Sequence, residues 1–580
     1  MNTEARFLLA VVLMLAVLVG GNLLFPPAVP DEEAPPADPA LVEEPVPADP
    51  EPAPAEPAPQ DPPAPEDVAT DPDLPELDAP AQDVPAPQLP APDVAEQPVV
   101  VEGPLYRFAF SNVGARLTSA ELLEFRSVPR DGAVELVASG DVGMLGSRIV
   151  VEADTIDLRR VPFEVSPADG LTLDPDAGPQ TLTFRYEHPT EPFSFEMRYT
   201  FDPGEYLIRA EGRVQGVSRG LLVTHLGDGV AFNEVDEGVE GRSMAYVVNH
   251  LQQGIRQTEL SSVSDPLREE GPFHWAVVKS QYFLVGVLPP HRPGDPAYLG
   301  GLLASPAPEE RAEVAVTQSI GTGGTFDFRV FAGPQDYQLL SALGNDFQEV
   351  SPVGWRFIRP ILRPFVGVIM WVLVTLHETL QVGYGWVLML VGVLMRLVLF
   401  PLNHKAMKAQ LRNMAVQPLL KEIQTKYKDQ PEKMQKELMR LYKEHGFNPL
   451  AGCWPMLLPW PVLIALFFVF QNTIELRGVP FGWLPDLAAK DPLFILPVLL
   501  GISMFLLQWI SLRTMEEVAP QMKMMMWFLP IFMVVIFANL PSGLNLYYLT
   551  ANVATLPQSW WIANERQKVQ AKGPPEPVKA

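Results

Sequence analysis

The chemistry this sequence can do is concentrated in an arginine set inside a membrane-length apolar run. Residues 385–402 read GWVLMLVGVLMRLVLFPL, and Arg396 is the single charge among them. A guanidinium at membrane depth costs several kcal/mol or more, so it either faces protein or water, marking a functional site, or snorkels to the headgroups on its own stem. Leu402 lies six residues further on, ~9 Å at the helical rise, so the stem can reach an interface. Other chemistry-bearing residues are sparse. His188, His225, His250 and His274 are scattered without metal-ligand spacing, and no GxxxxGK[ST] phosphate loop occurs. The single cysteine, Cys453, excludes an intramolecular disulfide and any multi-cysteine metal site. The expectation is a non-enzyme without cofactor or metal.

Length and composition say what must position that arginine. At 580 residues and a mean hydropathy of +0.10, the chain reads as a membrane protein with a soluble part. Residues 7–25 form a first apolar run, longer than a signal core and without a clear A-x-A site, and read as an N-terminal anchor within 1–25. Residues 26–100 hold 19 Asp and Glu and no Lys or Arg, so most of the net charge of −27 sits in one Pro/Ala/acidic linker that cannot bury a core. From 101 to 345 the pattern changes to period two. Phe195, Met197, Tyr199 and Phe201 alternate with polar residues, as do Leu182, Phe184 and Tyr186, which predicts a large antiparallel β-sandwich.

Beyond it, 351–380 places Arg356, Arg359 and Arg363 on one helical face and Trp355, Ile358, Leu362 and Phe365 on another. This predicts an amphipathic interfacial helix, interrupted by Pro360 and Pro364. A second span here would carry the basic segment after Leu402 to the outer face, against the positive-inside rule. Residues 403–448 carry ten Lys and Arg against five Asp and Glu and predict a cytoplasmic helical hairpin. Its charge reads either as a solvated face or as a docking site for ribosomal RNA, anionic lipid or a targeting factor. Four further spans follow within 450–561, and 562–580 is a basic tail. With the anchor and 385–402 that makes six spans, both termini cytoplasmic and the β-domain outside.

The series LMRLVLFPL at 394–402, NPLAGCWPMLLPWPVLIALF at 448–467, IELRGVPF at 474–481, DPLFILPVLLGISMF at 491–505 and PSGLNLYYLTAN at 541–552 resembles the YidC-type membrane protein insertases. The anchor and β-domain ahead of it resemble the Gram-negative form with a large periplasmic domain. The resemblance implies a polytopic α-helical protein of the bacterial inner membrane, whose five-helix core encloses a hydrophilic groove with Arg396 inside it. It implies a substrate groove formed by Arg396, Tyr547, Tyr548, Trp460, Gln508 and Asn545, with Gln508, Asn545 and Asn552 as polar partners for the arginine. Gly392 and Pro459 stand at groove positions where polar side chains are common in the family. The implied partners are nascent membrane proteins and lipids, the Sec translocon, and a ribosome or targeting factor at 403–448. Two other classes compete: a secondary transporter, for which no internal repeat pairs broken spans, and a membrane-anchored sugar-binding receptor built on the β-domain, for which no signalling output is visible.

Overall fold

The computed structural model describes residues 94–570 apart from 139–142, 153, 177, 218, 291–296, 353, 355–357, 428–429, 445–459 and 514–519. The anchor at 7–25, most of the linker and Cys453 lie outside the described residues.

The alternating segments become strands that bury the expected faces. Strand Ser194–Phe201 buries Phe195, Met197, Tyr199 and Phe201 and pairs antiparallel with Gln180–Glu187, setting Phe195 opposite Tyr186 and Met197 opposite Phe184. Two sheets result, one of fourteen strands and one of five. Their inner faces interdigitate: Phe110 from the small sheet lies 5.2 Å from Tyr199 and 5.8 Å from Phe184 of the large one. The β-sandwich is antiparallel except where Pro98–Glu102 runs parallel to Leu171–Thr172. The first strand begins at Pro98, so the last linker residues already belong to the sheet; Val99 and Val101 are buried there.

Seven longer helices follow among the described residues: α1 (Arg359–Leu380), α2 (Tyr384–Lys426), α3 (Pro431–Glu444), α4 (Trp460–Asn472), α5 (Ile495–Leu512), α6 (Pro520–Phe537) and α7 (Ser542–Gln570). The interruption expected at Pro360 and Pro364 does not occur. Pro360 falls in the first turn, where an amide has no intrahelical partner, and Pro364 forfeits one hydrogen bond of a helix whose Leu362, Ile369, Met370 and Leu373 are buried. The run 385–402 and the first arm of the expected hairpin form one continuous helix, α2, which ends at Lys426. Among the described residues, α1, residues 384–401 of α2, and α5 are long and apolar enough to cross a membrane. The first half of the run at 450–470 lies outside the described residues, and α7 is long but too polar on average to meet the same criterion. The architecture is thus a β-sandwich followed by several apolar helices.

Two neighbouring segments between helices hold the ends together. Asp491 accepts hydrogen bonds from the amides of Leu493 (3.0 Å) and Leu496 (2.7 Å), satisfying donors at the start of α5. Ser542 opens α7 by donating its amide to Ala489 O (2.7 Å) and its hydroxyl to Asp486 O (2.8 Å). The same 473–494 connection reaches the β-domain through Arg477, whose side chain is 4 % exposed. Its Nε donates to Glu234 Oε1 at 2.6 Å and its Nη2 to the Arg126 carbonyl at 2.9 Å, while the guanidinium lies 5.1 Å from the Phe283 ring. Glu240, fully buried, accepts from the Asn233 and Glu234 amides (both 2.9 Å) and so fixes the backbone that presents Glu234. Ile474 joins the β-sandwich core, and Gln281 donates to Gln471 O at 2.9 Å.

Breaking a buried pair strands the remaining charge, typically at a cost of about 3–5 kcal/mol. Arg477→Ala is therefore expected to loosen the β-domain from the helices by that order, read as faster hydrogen exchange at 473–490. Unchanged exchange there would remove Arg477 as the tie.

Burial pushes the Glu234 carboxyl up from 4.5 to about 7, against the opposing pull of Arg477. A group whose folded pKa is raised contributes fully below its unfolded value, and that contribution is lost as pH rises through the folded one. Protection of 473–490 should accordingly fall between pH 5 and about 7, and Glu234→Gln should flatten this dependence. A profile rising with pH in the parent protein would contradict the assignment.

Candidate functional site

The inner face of α2 is a stripe at helical spacing that opens along its length. Val387, Leu388, Val391 and Gly392 are buried, whereas Met395, Arg396 and Leu399, one and two turns further on, are only partly covered. Leu394, Leu397 and Val398 at this level are exposed. Arg396 therefore sits on the stripe that faces other helices, at the level where that interior begins to open. Among the described residues it has no hydrogen-bond or ion-pair partner. The titratable side chains whose fields reach it are the phenols of Tyr547 and Tyr548.

Close approach of α7 makes this arrangement. A Cβ on Gly392 would stand 3.1 Å from the Tyr547 carbonyl and 3.4 Å from the Ala551 amide, so the missing side chain lets the two backbones meet. Gly392 thus packs helix on helix, and its neighbourhood is filled by α7 backbone. Gly501 does the same between α5 and α6, where a Cβ would stand 2.4 Å from Val534 Cγ2. Arg396 is one turn beyond that crossing, so Tyr547 and Tyr548 lie on the side of it nearer the start of α2. There they belong to an aromatic row: Phe470 of α4 is 5.9 Å from Tyr547, Tyr547 is 5.5 Å from Tyr548, and Tyr548 is 5.2 Å from Phe537 of α6. Three helices thereby meet through tilted and edge-to-face rings across the interior, between Arg396 and the β-domain side.

The remaining expected groove residues divide. Gln508 on α5 is half-buried, and among the described residues no hydrogen bond joins it to Arg396. Asn545 is fully buried, donating to the Phe537 carbonyl at 3.0 Å, which ties the start of α7 to the end of α6. Asn552 donates to Ser503 Oγ at 3.0 Å and ties α7 to α5. Trp460 is the first residue of α4, and Pro459 lies outside the described residues. Sequence reasoning missed Phe470 and Phe537, whose only signal was aromatic character near span ends. It also missed Arg477, whose signal was a cation between apolar residues in a short connection.

A bulky residue at the α2–α7 crossing should force the helices apart. Gly392→Leu is expected to lower stability by about 1–3 kcal/mol, the usual cost of overpacking, and Gly392→Ala by less. Thermal unfolding of the detergent-solubilised protein measures both; a leucine variant as stable as the parent would mean the crossing is looser than described.

Known proteins show the same organisation. The 60Kd inner membrane protein family matches residues 375–570, and the YidC periplasmic domain family matches 98–367. The membrane protein insertase YidC of Chlorobium limicola is 30% identical over 499 residues, covering 81% of this chain and 83% of that protein. That of Chlorobium luteolum is 31% identical over 524 residues, covering 83% and 86%. A crystal structure of an active YidC insertase with its first transmembrane domain resolved is 18% identical, covers 81% of this chain and 93% of that one, and has a TM-score of 0.33. With the β-sandwich and the arginine-bearing helix both inside the matched lengths, the chain belongs to the YidC family of membrane protein insertases.

Proposed function

We propose that this protein moves client transmembrane segments and their short hydrophilic tails into the bacterial inner membrane through a groove around Arg396, without nucleotide hydrolysis. The observation that carries the reading is the facing of Arg396: it lies on the helix-facing stripe of α2, while its neighbours Leu397 and Val398 are 65% and 62% exposed. A tail crossing hydrocarbon meets a desolvation barrier, and a water-filled recess with one cation shortens the low-dielectric path and attracts acidic residues. The aromatic row closes the recess toward the β-domain. Lipid partitioning of the client supplies the driving force, with the membrane potential adding a field. Tyr547, Tyr548, Trp460, Gln508 and Asn545 complete the proposed groove set, the tyrosines by lining it and Asn545 by holding α7 in place.

The topology proposed is six spans, with both termini cytoplasmic and the β-domain periplasmic. It counts 385–402, four spans within 450–561 and the anchor at 7–25, and leaves α1 in the outer interface. Contacts at both ends of α1 support that placement. Arg359 donates to Ile255 O of the β-domain at 3.1 Å. At the other end the chain turns through 381–383 into Tyr384–Trp386, and Trp386 lies 5.4 Å from Phe481 of the connection that carries Arg477. The middle of α1 meets the end of α4, where Thr473 Oγ1 approaches Met370 Sδ at 3.6 Å. A helix with both ends on the β-domain side lies along the surface. Nascent membrane proteins are the clients; the Sec translocon, and a ribosome or targeting factor on the 403–448 hairpin, are the proposed further partners.

If Arg396 acts through charge in a wet recess, Arg396→Lys should retain most insertion, because a solvated site needs a cation more than a bidentate fork. Arg396→Ala should impair clients with acidic tails more than clients with neutral ones. Arg396→Glu should be worst, since like charges at 4 Å repel by about 4 kcal/mol at an effective dielectric of 20. Insertion efficiency of paired acidic and neutral reporters at matched protein levels measures this. Equal loss for both reporters, or none with glutamate, would reduce Arg396 to a snorkelling anchor.

A further inference from the structure

The 473–494 connection marks the level at which apolar helices begin: α4 ends at Asn472, and α5, long and apolar enough to cross a membrane, starts at Ile495. Trp483, Leu493 and Phe494 of the connection are exposed, as is Trp386 beside Phe481. Exposed aromatic and apolar side chains at the ends of spans are where a chain meets lipid headgroups. Two β-domain loops are fastened at this same level. The Asn233 carbonyl accepts from Arg477 Nη2 at 3.3 Å and from the Val128 amide at 3.0 Å, so segments 126–130 and 233–236 lie side by side against the connection. Lys490 pairs with Asp236 at 3.7 Å, and the adjacent Asp491, which opens α5, accepts from Trp483 Nε1 at 3.3 Å. Val235 stands between Glu234, the partner of Arg477, and Asp236. It is 76% exposed, more than any other large apolar side chain among the described residues, those on the outer faces of the helices included. Val128 is exposed as well, followed by exposed Pro129 and Arg130. A single exposed valine is ordinary on a soluble domain. Here loops from separate parts of the sandwich each bring one to a rim that the apolar residues of the connection continue.

We infer that Val235 and the Val128–Arg130 loop sit in the headgroup layer of the leaflet on the β-domain side, so that this edge of the sandwich is a lipid-binding surface. Continuity selects lipid as the occupant: a membrane-crossing α5 brings lipid up to Leu493 and Phe494, and the Lys490–Asp236 pair joins that level to Val235. The seating is shallow. The Lys490 and Asp236 side chains are each more than half exposed beside Val235, and their charges hold the loop at the level of headgroups and water while the two valines reach the upper acyl chains. Arg130 has the stem length to reach a phosphate from there. The surface requires only that α5 enters the membrane near Ile495; it is independent of which side of the membrane the sandwich faces and of the role of Arg396.

The test uses the full-length protein in a Cys453→Ala background with Val128→Cys, Val235→Cys or, as a reference, Leu221→Cys. Leu221 is exposed too, but it opens the strand Leu221–Gly227 and lies about 20 Å along it from Gly227, where the chain turns toward Asn233. Each variant is labelled with a nitrobenzoxadiazole dye and reconstituted into phosphatidylcholine vesicles that contain phosphatidylcholine bearing a nitroxide on the headgroup, on the upper acyl chain or at the chain end. Labels at positions 128 and 235 should be quenched several-fold more than the label at position 221 by the headgroup and upper-chain nitroxides, and less by the chain-end one. Quenching no greater than at position 221 overturns the surface. Emission shifted to the blue without nitroxide quenching would mean that protein covers the loops and overturns lipid as the occupant. Quenching strongest from the chain end overturns the headgroup placement. Nitroxides in both leaflets make the readout the same for either orientation of the protein in the vesicle.

Discussion

Arg477 joins two structures that the chain builds by unrelated rules, a sheet sandwich with period two and a set of apolar helices with period 3.6. Its guanidinium is almost fully enclosed and bonded to Glu234 and to a main-chain carbonyl from a different part of the sandwich. A buried ion pair of this kind adds little net stability over an apolar contact of the same shape. What it adds is uniqueness: an unpaired Arg477 or Glu234 cannot be buried cheaply in any other register, so the docking has one acceptable position. The connection that presents Arg477 also anchors the start of α7 at Asp486 and Ala489 and the start of α5 through Asp491. Placement of the sandwich and the spacing of the helix ends are therefore set by a single short segment.

That spacing decides what surrounds Arg396. The α7 backbone is held against Gly392, which carries Tyr547 and Tyr548 across the interior on the β-domain side of the arginine. Among the described residues, the amide groups of two candidate partners donate elsewhere. Asn545 closes the α6–α7 turn, and Asn552 bridges to Ser503. Arg396 is left among phenol rings and partly covered space. A cation so placed is poorly solvated by protein, which is the condition under which water or an acidic client side chain becomes its best partner.

Sequence reasoning was strongest where one periodicity dominated. Alternation at 182–186 and 195–201 located strands and their buried faces, and the apolar run with its lone charge located α2. It was weaker where neighbouring residues pull in opposite directions. Two prolines in 359–364 argued for a break, yet one sits where no amide bond is needed and the other is outvoted by a buried apolar face. Gly392 is informative only once the helix it touches is known, since a missing side chain reads alike as an empty groove position and as a close crossing. Asn545 and Asn552 were legible as polar residues in an apolar span, but their partners are a carbonyl on another helix and a serine 49 residues away. Arg477 pairs across 243 residues, a separation that no local pattern encodes.

The unbroken course of α2 carries a mechanical implication. Its 43 residues rise about 65 Å, and the part beyond Leu402 projects about 36 Å past the apolar run, with no proline after Pro401 until Pro418 and no break at either. A single helix is stiff in torsion, so the basic projection and the arginine-bearing stripe are two ends of one lever. Adjacent residues on it face 100° apart, which is the difference between the half-buried Arg396 and the exposed Leu397. Anything that grips the projection holds the rotational setting of the arginine as well, at a distance and without touching the groove.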